Sequence, residues 1–144
     1  MDFGFNEDQE LLRDSARAFL EKECPMTLVR RLMAEEEGHD PALWRQMAAL
    51  GWLGMMIPEE DGGIGLSFVE MALLLEEMGR VVLPGPFFST AVCSASLLSA
   101  QATGPAARAL LPGIAAGEIR ATIAWLESSG QLAPEAIEAE WSPV

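Results

Sequence analysis

The ten residues PEEDGGIGLS, Pro58 to Ser67, limit what this chain can become more than any other stretch. Gly62, Gly63 and Gly65 permit backbone angles that other residues avoid, so the chain can turn sharply there. Before the corner runs the apolar segment WLGMMI, Trp52 to Ile57, which should cross the interior as an extended or turn segment. After it, Ser67 and Glu70 have the spacing of a capping box and open a helix through Phe68, Val69, Met71, Ala72, Leu73, Leu74 and Leu75. Apolar residues on nearly all sides predict a central, buried helix, ended by Gly79. A phosphate-binding loop is the competing reading of the glycines. The sequence opposes it, because Phe68 stands where GxGxxG needs its last glycine and Glu59, Glu60 and Asp61 would repel an anion.

The rest of the N-terminal half punctuates itself into helices. Asn6 followed by Gln9 caps a first helix carrying Leu12, Ala16, Phe19 and Leu20 at helical spacing until Pro25. A short second helix is expected from Thr27 to about Glu36 around Leu28, Leu32 and Met33. Asp40 followed by Pro41 starts a third, since Asp accepts free amide hydrogens and Pro has none to leave unpaired. Trp44, Met47 and Ala48 share its inner face, and Gly51 closes it. Beyond the connector from Arg80 to Pro86, stiffened by two prolines, a helix rich in Ala, Ser and Leu is expected from Phe87 to about Ala102. A shorter one from Pro105 should carry Leu110 and Leu111 and end at Pro112 and Gly113. After Gly117 the period changes: Ile119, Ala121, Ile123 and Trp125 alternate as in a strand, and Ile137 to Trp141 suggests another. The fold class expected is all-α, a bundle of about six helices with a short β start at the C-terminal end.

Composition supports this and excludes several functions. Half the residues are apolar, enough for a core, and they lean on Ala, Leu and Met rather than on the β-formers. With 22 acidic against 9 basic residues the formal charge is -13, so nucleic acid and anionic bilayers would meet a repulsive field. No apolar run approaches the roughly 18 residues needed to span a bilayer. The start, MDFGFNEDQE, lacks signal-peptide or transit-peptide character, and a soluble cytoplasmic protein is expected. Cys24 and Cys93 stand far apart with no CxxC, so both should be reduced. Glu36 and His39 have the ExxH spacing of carboxylate-bridged di-iron bundles, but only one copy exists and the chain has one His, so no metal site is expected. No nucleophilic triad can be assembled around that single imidazole.

Read in order, Trp44, Met47, Ala48, Leu50–Gly54, Pro58–Gly63, Gly65–Ser67 and Glu76–Gly79 form the pattern W..MA.LGWLG...PEEDGGIGLS, followed by EEMGR. The pattern resembles the N-terminal domain of the acyl-CoA dehydrogenase family. The first helix and GEIRATIAWLE extend the likeness over roughly residues 3 to 127. The resemblance implies a helical N-terminal domain over 1–117 and the truncated start of a middle β domain over 118–144. In the complete family fold a helical C-terminal domain follows and the assembly is usually a tetramer. This implies a homo- or hetero-oligomer acting on an acyl-CoA substrate, with FAD as cofactor and an electron-transfer acceptor downstream. A glutamate from the C-terminal domain would take the proton and the flavin the hydride; no residue here matches it, so catalytic residues are none and this chain alone should be inactive.

The same resemblance places Phe87, Phe88, Thr90 and Ala91, with Cys93 beside them, on the wall of the acyl pocket. Ordinary helix packing explains those residues equally well. Trp125, Leu126 and Glu127 align with a strand end that touches flavin. Glu127 matches the family there, but Leu126 stands where a threonine would donate a hydrogen bond, and no Gly-Ser-Asp follows. Two alternatives to a complete flavin enzyme therefore stand: the flavin-poor subunit of a heteromeric dehydrogenase, and a free-standing helical interaction module.

Overall fold

The computed structural model describes residues 4–100 and 104–124, together with 130, 135 and 138. Helix α1 (Glu7–Glu23) begins where Asn6 and Gln9 exchange hydrogen bonds across its first turn, as the sequence predicts. Helix α2 (Met26–Leu32) is shorter than expected, and Met33 points to solvent rather than inward. Helix α3 (Pro41–Ala49) is capped by Asp40, whose carboxylate accepts from the amides of Ala42 and Leu43 at 2.8 and 3.0 Å. Those amides hold that carboxyl below its ordinary range.

Gly51 turns the chain with φ of 77° into a buried 3-10 turn, Trp52–Gly54. Trp52, Leu53, Met55 and Ile57 are all buried, so the apolar run crosses the interior as a tight turn rather than an extended strand. The edge of Phe19 meets the Trp52 ring at 5.1 Å, fixing α1 against this segment.

Helix α4 (Phe68–Arg80) starts at the capping box of Ser67 and Glu70 and runs one residue past the expected stop at Gly79. It lies parallel to α1, because Gln9 bonds Glu70 near both N-termini while Arg17 bonds Glu77 further along. Its inner residues Met71, Leu74 and Met78 join Ala16, Leu20, Trp44, Met47 and Leu53 in the main core, and Leu73 is buried as well. The expectation of burial all round is corrected here. Phe68 is 59% exposed and Val69 and Ala72 lie beside it at the surface, because no second layer of this chain covers that side.

The expected helix from Phe87 is present but not of one kind. Phe88–Ser94 is wound as a π-helix and passes directly into helix α5 (Ala95–Ser99). Helix α6 (Pro105–Arg108) precedes helix α7 (Leu111–Ala115). Pro112 and Gly113 therefore lie inside a helix rather than ending one, since Pro112 occupies the first turn, where its missing N–H costs nothing. Leu111 and Ile114 anchor α7 in a second, smaller core with Ile57 and Ala95. Over 118–124 the expected alternation holds, with Ile119, Ala121 and Ile123 half-buried and their neighbours exposed; no strand ladder forms among the described residues. Ile137 and Trp141 lie outside the described residues.

Candidate functional site

Two regions could hold a ligand, the glycine corner and the seam between the π-helical segment and 118–124. At the corner, every backbone amide from Gly62 to Leu66 is occupied within the chain. They donate in turn to the carbonyls of Glu59, Pro58, Gly54, Ile57 and Met55, at 2.8 to 3.1 Å. None is left to cradle a phosphate, which removes that reading. Gly63 is required by close approach: a Cβ there would stand 2.1 Å from the Ile57 carbonyl oxygen. Asp61 accepts from Arg108, fastening the corner to α6.

The ExxH spacing does not survive folding either. Helix α2 ends at Leu32, so Glu36 and His39 lie in a loop and share no helical face. No cluster of three metal-ligating side chains occurs among the described residues.

The seam is built by few but specific contacts. The Thr90 hydroxyl donates to the Ala121 carbonyl at 2.9 Å and accepts from the Ala121 amide at 3.1 Å, pinning the segment to the helix. The Trp44 indole donates to the Gly117 carbonyl at 2.9 Å, and the amides of Glu118 and Ile119 both reach the Gly113 carbonyl. The segment therefore lies along the π-helical turn, not over the main core. Ser94 donates its hydroxyl to the Ser89 carbonyl at 2.7 Å, and Ser89 donates to the Pro86 carbonyl at 3.1 Å. Hydroxyls inserted beside the carbonyl ladder favour widened winding of this kind.

Along this seam the surface opens into two clefts that meet at Ser89 and Thr122. One, about 570 Å³ and mostly apolar, is lined by Phe88, Ser89, Cys93, Thr122 and Ile123. The other, about 560 Å³, is lined by Glu37, His39, Pro86, Ser89, Arg120 and Thr122. On the opposite side of Phe88 lies a smaller hollow of about 290 Å³, bounded by Leu75, Met78, Gly79 and Val82. Val82 closes α4 with φ of 52°, its amide bonded to Gly79 and the next one to Met78. A β-branched residue in the left-handed region carries about 1 to 2 kcal/mol of strain, and it leaves the Val82 side chain facing outward.

Of the residues the resemblance puts on an acyl wall, Phe87, Thr90 and Ala91 are fully enclosed, and Thr90 is committed to the clamp on Ala121. Phe88 is 58% exposed and lines both the apolar cleft and the smaller hollow. Trp125, Leu126 and Glu127 lie outside the described residues. The polar lining of His39, Arg120 and Thr122 was not anticipated from sequence. The alternation after Gly117 was the available signal, since it places Arg120 and Thr122 together on the outward face.

The family model described as acyl-CoA dehydrogenase, N-terminal domain, matches residues 6–118. Acyl-CoA dehydrogenase IpdE2 of Mycolicibacterium smegmatis is 39% identical over 101 residues, which is 69% of this chain and 32% of that protein. Among solved structures, a variant of the Tcur3481-Tcur3483 steroid ACAD is 35% identical with a TM-score of 0.75, over 85% of this chain and 33% of that one. The ChsE4-ChsE5 complex from Mycobacterium tuberculosis shares the fold, with a TM-score of 0.74 at 24% identity over 91% of this chain and 36% of that one. The chain spans about a third of the length of each of these relatives.

Proposed function

Because the chain belongs to the acyl-CoA dehydrogenase family, through that family's N-terminal domain, we propose that the whole protein dehydrogenates the α,β-bond of an acyl-CoA thioester. In this reading the helical lobe supplies one wall of the acyl site. The observation that carries it is the apolar cleft at the seam, with Phe88 standing beside the segment that leads toward Trp125–Glu127. Phe87, Thr90 and Ala91 then act from behind, setting the position of Phe88 and of the segment rather than touching the acyl group.

The family implies FAD. The described residues do not by themselves make a site for it: the glycine-corner amides are all occupied, and His39 and Arg120 line the cleft that does not reach Phe88. The remainder of the protein, or a second subunit, supplies the flavin pocket.

Leu126 gives weight to a second reading, the flavin-poor subunit of a heteromeric dehydrogenase. A buried flavin acceptor facing Leu126 in place of a hydroxyl loses on the order of 1 to 3 kcal/mol. A solved relative named as a complex of two chains is in keeping with that arrangement.

Both readings are tested by purifying the protein at its natural length and recording mass, flavin absorbance and acyl-CoA-dependent reduction of an artificial electron acceptor. A yellow, active homo-oligomer supports the first reading and eliminates the second. A colourless protein that becomes active only with a flavin-bearing partner supports the second. No activity under either condition overturns both. The 144-residue chain alone is expected to be colourless and inactive in the same measurements.

A further inference from the structure

The trough has a chemistry at its polar end that an acyl wall does not require. Arg120 donates through Nη1 to Nε2 of His39, and Nδ1 of the same ring lies 3.0 Å from the Glu37 carbonyl. Since the carbonyl can only accept, Nδ1 carries the proton and Nε2 is left to receive the guanidinium. Arg120 is thereby held by an imidazole rather than by a carboxylate. Its Nε–Nη2 edge has no hydrogen-bond partner among the described residues, and no described carboxylate pairs with it.

Arg30 and Arg45 likewise have no carboxylate partner among the described residues, but of these three only Arg120 lines a cleft. Arg13, Arg17, Lys22, Arg31, Arg80 and Arg108 each pair with a carboxylate. A planar guanidinium edge fixed in position and without a carboxylate among the described residues is suited to bidentate recognition of a carboxylate. The apolar cleft starts at Ser89 and Thr122, where the Arg120 cleft ends, and continues past Cys93 to Phe88 and Ile123.

We propose that the trough selects acyl groups bearing a second, distal carboxylate, the hydrocarbon lying over Phe88 and Ile123 and the carboxylate on Arg120, with the Thr122 hydroxyl beside it. The inference rests on the acyl-CoA dehydrogenase reading and names its substrate class. Glu37 lies at the rim of the same cleft and opposes an incoming anion, so it sets an upper bound on affinity that the test can read.

The experiment compares two matched substrates on the natural-length protein, with its partner subunit if one co-purifies: an acyl-CoA ending in a free carboxylate and its methyl ester. The acid is expected to be preferred in kcat/KM by about tenfold or more, as a charge-assisted pair implies. Arg120→Met should bring the acid-to-ester ratio close to one, Arg120→Lys should restore part of it, and Glu37→Gln should raise it. A ratio near one in the unaltered protein, or an Arg120→Met variant that lowers both substrates alike and keeps the ratio, overturns the carboxylate assignment while leaving the dehydrogenase reading intact. A protein inactive on both substrates, with and without its partner, overturns the reading and this inference together.

Discussion

Glu77 is the residue on which the packing of α1 against α4 turns. Its side chain is 1% exposed, yet it is charged and receives two hydrogen bonds from Arg17, at 2.7 and 2.9 Å, with Arg80 at 3.3 Å. The Arg17 hydrogen bond holds its carboxyl below the ordinary range against the opposing pull of burial. Arg17→Met leaves that carboxylate enclosed with only Arg80, and should lower the midpoint of a urea titration. Gly63→Ala drives a methyl against the fixed Ile57 carbonyl and should cost at least about 2 kcal/mol by the same measurement. These two residues differ in how legible they were. Gly63 announced a shaped corner from its neighbours in sequence, and Asn6, Asp40 and Ser67 announced helix starts, because capping is a bond between residues two or three apart. The Arg17–Glu77 pair joins residues 60 apart, and no local pattern could propose it.

At the scale of elements, apolar spacing misleads for more than one reason. Period reading detects that a helix has apolar residues all round, but not how many layers the chain itself provides. Spacing alone therefore predicts α4 to be buried on every side, although Phe68, Val69 and Ala72 are open. The π-helical winding of Phe88–Ser94 escaped for a different reason, since the apolar spacing of a single turn barely differs between windings and the cause lies in hydroxyls bonding back to the ladder. Pro112 signals a stop in sequence, yet in the fold it occupies the first turn of α7. The enclosure of Phe87, Thr90 and Ala91 beside an exposed Phe88 is not legible in spacing, because it is set by contacts between distant residues such as Thr90 and Ala121. That contact can be measured. Thr90→Val removes both bonds to Ala121 while keeping the shape of the side chain, and amide exchange at Ala121 should accelerate by about tenfold or more while the amides of α1 and α4 stay protected.

For the molecule as a whole, the acidic balance makes stability depend on pH in a known direction. Gln9 and then Ser67 hold the Glu70 carboxyl at about 2, below its ordinary 4.5, and Glu77 is displaced the same way. A depressed carboxyl contributes stability that is complete above its unfolded value and is lost as pH falls through its folded one. Urea midpoints should therefore be level near neutrality and decline from about pH 4.5 toward pH 2, and Glu70→Gln should flatten that decline. An unfolding curve that rises on acidification would refute the Gln9–Glu70 and Arg17–Glu77 couplings together. The outward side of α4 has its own bearing on such experiments. Dyes that brighten on greasy surfaces will find Phe68 and Val69 while the lobe is still native, so melts followed by dye fluorescence should begin from a high baseline. If the missing two-thirds of a full-length homologue shields that ridge, the baseline should drop in the longer protein, giving a simple optical reading of whether the lobe has found its neighbours.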